Sequence, residues 1–168
     1  MDQIKIEQAS LEDAEMILRL QIQAYLSEAE IYNDYSIPPL IQSINEIKQE
    51  FSQQMFLKAM QQESGEHSDK TMTIVGSVRA YLEKGTAYIG RLIVKPESQN
   101  KSVGIRLMQA IEQHFKMANR YELFTGHKSA RNLHLYRKLG YREFKRIPVN
   151  DSLTMVFLGE YNTNDNQQ

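Results

Sequence analysis

Two stretches of this chain hold side chains whose types and spacing could do chemistry. The first runs from Ser129 to Tyr141. Asn132 and Tyr136 stand four residues apart, so on a helix they share one face, while Leu135 and Leu139 form an adjacent apolar stripe. An amide and a phenol along one helix edge suit a ligand that carries amides and a leaving group that needs a proton. The competing reading is a core-edge tyrosine with a satisfied hydroxyl and an asparagine bonded to its own backbone. The second stretch, Ile93 to Met108, reads as strand, polar loop and helix. The first amides of a helix have no intrahelical acceptor and carry the positive end of its dipole, so such a loop can cup a phosphate. Lys95, Lys101 and Arg106 would add charge, and Gly104 would leave the backbone open to a bulky anion. Neither a Gly-Lys-Ser/Thr ending nor a three-glycine fingerprint is present. That excludes the P-loop and dinucleotide readings of this loop.

The rest of the composition narrows the chemistry further. A chain of 168 residues is one domain by length. Without cysteine it has no disulfide framework, thiolate zinc site, iron–sulfur cluster or cysteine nucleophile. A net charge of −1 argues against general nucleic-acid binding. That total hides a net −7 over residues 1–50 and +9 over residues 91–150. An anionic ligand would favour the second segment and a cationic one the first, unless the two simply attract each other across the fold. His67, His114 and His134 lack metal-ligand spacing, so no metal is expected. Met1 to Lys5 does not lead into an apolar run, and no apolar stretch approaches the ~20 residues that span a bilayer. The expectation is a soluble cytoplasmic protein without a membrane partner.

The elements that must position these groups follow from periodicity. Ile4–Gln8 alternates as a strand, and Ser10 with Asp13 three residues on reads as a helix start for 11–27. Asn33 to Pro39 reads as a loop, since Pro38 and Pro39 are barred from a helix interior. A shorter helix follows to Phe51. Strands are predicted at 55–60, 73–81 and 86–94, the last two joined by a tight turn at Lys84-Gly85. Residues 61–70 read as a turn and 102–120 as one long helix. A strand over 121–125 leads to a helix over 129–139 closed by Gly140, then to a hairpin of 141–147 with 153–158. Hairpins give an antiparallel sheet, and the helix between two strands implies one parallel pair. Residues 1–160 form the single domain and 161–168 a polar tail.

Val94, Pro96, Gln99 to Gly104, Leu107 and Met108, followed by Asn132, Tyr136, Gly140 and Tyr141, resemble the GNAT acyltransferases (Gcn5-related N-acetyltransferases). The element order is similar too. The resemblance implies an α/β (α+β) acyl-CoA acyltransferase fold, a mixed, mostly antiparallel sheet of about seven strands flanked by about four helices. It implies acetyl-CoA as co-substrate. The pyrophosphate would lie on Gln99, Asn100, Lys101, Ser102, Val103 and Gly104, with Ile105 behind. The pantetheine would pair with the backbone of Leu92, Ile93 and Val94, where the fourth strand splays from the fifth, and Asn132 would lie near it. Tyr136 would be the general acid to the departing thiolate. An amine can attack a thioester directly, so a chain without cysteine is no obstacle.

Two departures from the family pattern stand out. Gln99, Asn100 and Ser102 replace the usual arginine and glycines, and Ser102 would instead cap the helix through its hydroxyl. No carboxylate lies in Thr86–Val94, where many relatives carry a glutamate. Glu30, Asp34 or His127 would then serve as base, or water would relay the proton. The acceptor, a small-molecule or peptide amine, would meet the acidic, aromatic region 25–40 (Tyr25, Glu28, Glu30, Tyr32, Asp34, Tyr35), with Glu30, Asp34 and Tyr35 as its binding residues. An alternative is a catalytically weak CoA-binding sensor or scaffold, and a remoter one is a protein-interaction domain. Many relatives form a homodimer, but no segment here marks an interface.

Overall fold

Alternation along the strands sends neighbouring residues to opposite faces of a single sheet, and each face is covered by different helices. The computed structural model describes residues 3–62, 71–99 and 102–163. Strand β1 (Ile4–Gln8) leads through a 3-10 turn to α1 (Ala14–Tyr32), α2 (Pro38–Ile41) and α3 (Ile44–Glu50). Then come β2 (Met55–Gln62), β3 (Met72–Glu83), β4 (Thr86–Val94), α4 (Val103–His114), β5 (Arg120–Gly126), α5 (Ala130–Lys138), β6 (Arg142–Pro148) and β7 (Thr154–Tyr161). The seven strands lie in the order β1-β2-β3-β4-β5-β7-β6. Every neighbouring pair is antiparallel except β4 with β5, which the helix between them makes parallel.

Two apolar cores result. Phe56 and Ile93 face Ile17, Leu20 and Ile47 of α1 and α3. Leu57, Val75, Val78 and Ile89 face Leu107, Met108 and Ile111 of α4 on the other side. A buried polar tie crosses the first core. Arg79 of β3, only 2% exposed, forms an ion pair with Glu50 and donates to Gln21 Oε1. Its guanidinium also lies 4.7 Å from the Phe56 ring centroid. Burial pulls its pKa down to about 10. Gln21 passes the tie onward, its Nε2 donating to Pro39 O at 2.8 Å and to Gln42 Oε1 at 2.9 Å. So α1, α2, α3 and β3 are held as one block by groups that cannot be left unpaired without a desolvation cost.

Several local expectations change. Pro38 and Pro39 open a helical turn rather than extend the loop, because a proline at the first helical positions loses no intrahelical bond. The helix expected to run to Arg120 stops at His114. The Tyr121 hydroxyl donates to the carbonyls of Glu112 at 3.0 Å and Phe115 at 3.1 Å, so the next strand caps this helix end. Lys84 and Gly85 both have positive φ (50° and 82°), as the tight hairpin requires. Tyr161, read as the start of a frayed tail, pairs with Arg120. Asn162 Nδ2 bonds Lys116 O at 2.7 Å and Ala118 O at 2.8 Å. The turn expected over 61–70 lies mostly outside the described residues.

Candidate active site

The parallel pair that joins the two halves of the sheet is short. β4 meets β5 only through Thr86–Arg120, Ala87–Tyr121 and Tyr88–Glu122. Past Tyr88 the strands part. A bulge sharpens the divergence: Ser77 pairs with Ile93 and Arg79 with Gly90, so Arg91 and Leu92 together oppose one residue of β3. Arg91 takes a left-handed φ of 48° to do so, which bends the strand and increases its twist. A cleft of about 540 Å³ opens in the gap.

Leu92, Ile93 and Val94 form its floor, and Gln99, Ser102, Gly104 and Ile105 form its end at the start of α4. The amides there have no intrahelical acceptor. Val103 is fully buried beneath them in the main core. Asn132 lines the cleft from α5, with its Nδ2 donating to Thr125 Oγ1 at 3.4 Å. The expected coenzyme residues therefore converge on one cleft, apart from Val103, which is buried beneath it, and Asn100 and Lys101, which lie outside the described residues.

Ser102 does not cap α4 as expected. It occupies the N-cap position with φ 63° and makes no side-chain cap bond, because a left-handed backbone points its hydroxyl away from the first amides. Of the residues expected to add charge, Lys101 lies outside the described residues and Lys95 does not line the cleft. Arg106 lies on the opposite side of α4, against Ile4, Lys5 and Gln62. Among the described residues, the cleft's basic groups are Arg131, His134 and Lys138 of α5. Their i, i+3, i+7 spacing was the sequence signal for them.

Tyr136 is 6% exposed, with its ring edge-on to Tyr141 at 6.1 Å. It is not among the residues that line the cleft. Burial, reinforced by the charges of Tyr25 and Glu28, raises its phenol well above the ordinary value of 10. The phenol therefore stays protonated. Tyr25, on the α1 wall of the cleft, is likewise raised by burial, against the opposing pull of Arg91 and Arg79. The Arg91 guanidinium lies 6.0 Å from its ring centroid.

Of the expected acceptor region, Tyr25 and Glu28 line this cleft, and Glu30, Asp34 and Tyr35 do not. Glu30 is exposed on the outer face of α1. Asn33, with φ 50°, ends that helix and turns the chain away, so Tyr35 is 60% exposed. The Asp34 carboxylate is spent on the Ser36 amide and hydroxyl, at 2.9 and 2.6 Å, which lowers its pKa. His127 stands in a separate groove with Leu133 and Arg137, its Nδ1 accepting from the Thr154 amide at 2.9 Å. The carboxylate that does line the cleft is Glu28. Helical phase from Gln21 and Tyr25 pointed to it, since Glu28 and Tyr32 continue the same buried face.

A twisted seven-stranded sheet that opens between its parallel strands onto a helix N-terminus is the fold of the acyl-coenzyme A acyltransferases. Residues 66–143 match the family model described as an acetyltransferase (GNAT) domain. Solved structures of the same fold include the PaiA N-acetyltransferase of Thermoplasma acidophilum in complex with coenzyme A. It shares 21% identity with a TM-score of 0.73, over 92% of this chain and 98% of that one. The putative acetyltransferase YncA of Salmonella typhimurium, with acetyl-CoA, gives 16% identity and a TM-score of 0.70 over 95% and 94%. Among curated proteins, UPF0157 protein YqkA of Bacillus subtilis is 27% identical over 144 residues, 84% of this chain. The chain spans 38% of that relative's length. No helix among the described residues is long and apolar enough to cross a membrane.

Proposed function

We propose that the protein transfers an acetyl group from acetyl-CoA directly to a primary amine of a small molecule or peptide. The observation that carries this reading is the unpaired edge of β4 beyond Tyr88, which runs straight to the free amides of α4. A chain with its own amides, such as pantetheine, can add to that edge as a strand would, and a pyrophosphate can end on the helix amides. Arg131 and Lys138 supply positive charge along the same wall. Asn132 offers an amide to the pantetheine.

The residues assign the steps. Holding amine and thioester together supplies much of the rate by proximity. The amine nitrogen bonds the carbonyl carbon, the carbon–sulfur bond breaks, and the electron pair leaves with sulfur. Tyr136 gives that sulfur its proton. A thiol has an ordinary pKa of ~8.5 and a phenol ~10, so the transfer runs slightly uphill in water. In the dry site that shelters Tyr136, the thiolate's affinity for a proton rises as well.

Calorimetry with acetyl-CoA, followed by thiol release with polyamines, aminoglycosides, amino acids and peptide N-termini, tests the proposal. Binding with turnover of one class supports it. Binding without turnover of any class points instead to a coenzyme sensor, and no binding at high micromolar coenzyme overturns both.

A further inference from the structure

The cleft has two walls, and the one formed by α1 carries a hydrogen-bond chain whose direction the chemistry fixes. The Lys128 backbone N–H donates to Tyr32 Oη at 2.9 Å. Tyr32 and Ser129 hydroxyls share a bond of 2.8 Å, and Ser129 Oγ donates to Glu28 Oε2 at 2.5 Å. Each hydroxyl has one proton. Ser129 spends its proton on the carboxylate, so Tyr32 must spend its own on Ser129. Every donor in the chain therefore points towards Glu28. Tyr32 and Ser129 are 6% and 2% exposed, which holds the relay in place. Gly126 leaves room for it, since a Cβ there would stand 2.0 Å from Tyr32 Oη. Of the two carboxylate oxygens only Oε2 takes part, and Oε1 is left for a ligand in the cleft. Glu28 lines the same cleft as Asn132, Leu92 and Val94.

We propose that Glu28 is the proton acceptor for the incoming amine, and that Ser129 and Tyr32 are positioning residues that aim its carboxylate. The inference rests on the acetyl-transfer reading above. As the nitrogen–carbon bond forms, the nitrogen gives up one proton to Glu28 Oε1, and the departing sulfur takes one from Tyr136. Solvent returns the proton from Glu28 to the phenolate, so one amine and one thioester become one amide and one thiol. The absence of a carboxylate from β4 is thus made good from α1.

The test uses the full chain and the best amine found in the panel above. Glu28→Gln should lower kcat/KM by roughly 100-fold, as loss of a general base does, while the Kd for acetyl-CoA stays within about twofold. Added formate should recover part of the rate in Glu28→Ala, which a merely structural role would not allow. Ser129→Ala should cost roughly 10-fold in kcat with coenzyme binding intact. If Glu28→Gln keeps its rate to within about threefold, or loses coenzyme affinity in step with rate, the assignment is overturned while acetyl transfer stands. If the native protein acetylates no member of the panel, both fall together.

Discussion

Replacing Glu112 with glutamine should make the protein more stable in mild alkali and remove most of its pH dependence between pH 5 and 8. Glu112 leaves α4 beside Glu160 of β7. Burial first, and repulsion from Glu160 second, raise its pKa from 4.5 to about 7, against a hydrogen bond from Tyr141 at 3.3 Å. Glu160 is raised by burial as well, and its Oε2 is the one buried side-chain oxygen or nitrogen without a hydrogen-bond partner among the described residues. A carboxyl whose folded pKa lies above its unfolded value favours the acid form in the folded state. Its contribution is fully present below about pH 4.5 and is lost as pH rises through about 7. At ~1.4 kcal/mol per pH unit the ceiling is about 3.4 kcal/mol, and partial exposure cuts this to roughly 1–2. For a domain of this size that is about 3–6 °C in Tm. Thermal melts of native and Glu112→Gln protein in matched ionic strength at pH 5, 6, 7 and 8 measure it. The native Tm should fall towards pH 8, and the variant should overtake it there, since glutamine still accepts from Tyr141. Parallel curves for the two proteins would refute the reasoning, as would a variant less stable at pH 8.

The left-handed Ser102 carries a backbone cost of roughly 1 kcal/mol that glycine avoids, so Ser102→Gly should tighten acetyl-CoA binding about fivefold by calorimetry. Gly126→Ala should push Tyr32 out of its place and lower stability by roughly 1–3 kcal/mol, read by denaturant titration. Tyr136→Phe removes one buried hydroxyl and should cut kcat by at least about 10-fold with the Kd for acetyl-CoA little changed. Unchanged turnover would remove Tyr136 from the mechanism.

The parts of this structure that local rules govern were visible in the chain itself. Ser10 and Asp13 do meet at a helix start, with the Asp13 carboxylate 2.9 Å from the Ser10 amide. Lys84 and Gly85 turn the hairpin, and Gly140 takes its left-handed φ of 101°. What the sequence hid depends on contacts distant along the chain. The end of α4 is set by the Tyr121 hydroxyl, so apolar residues beyond His114 misleadingly prolonged the helical pattern. The bulge at Arg91 comes from its register against β3, not from any turn-forming residue. The coenzyme wall could be read because loop and helix start are contiguous. The acceptor wall could not, because a count of acidic residues carries no phase: Glu28 and Glu30 contribute equally to it and face opposite ways.

The three-rung seam between β4 and β5 also has a mechanical meaning. The sheet is two plates, one of four strands and one of three, joined edge to edge at a single corner. Beyond those three rungs no strand hydrogen bonds among the described residues join the plates, which are held there by the core beneath and by the Tyr32–Ser129–Glu28 bonds. A ligand laid along the free edge becomes a splint between the plates. Amide exchange in Ile89 to Val94 should slow on coenzyme addition far more than in the β2–β3 ladder, which is already clamped on both sides.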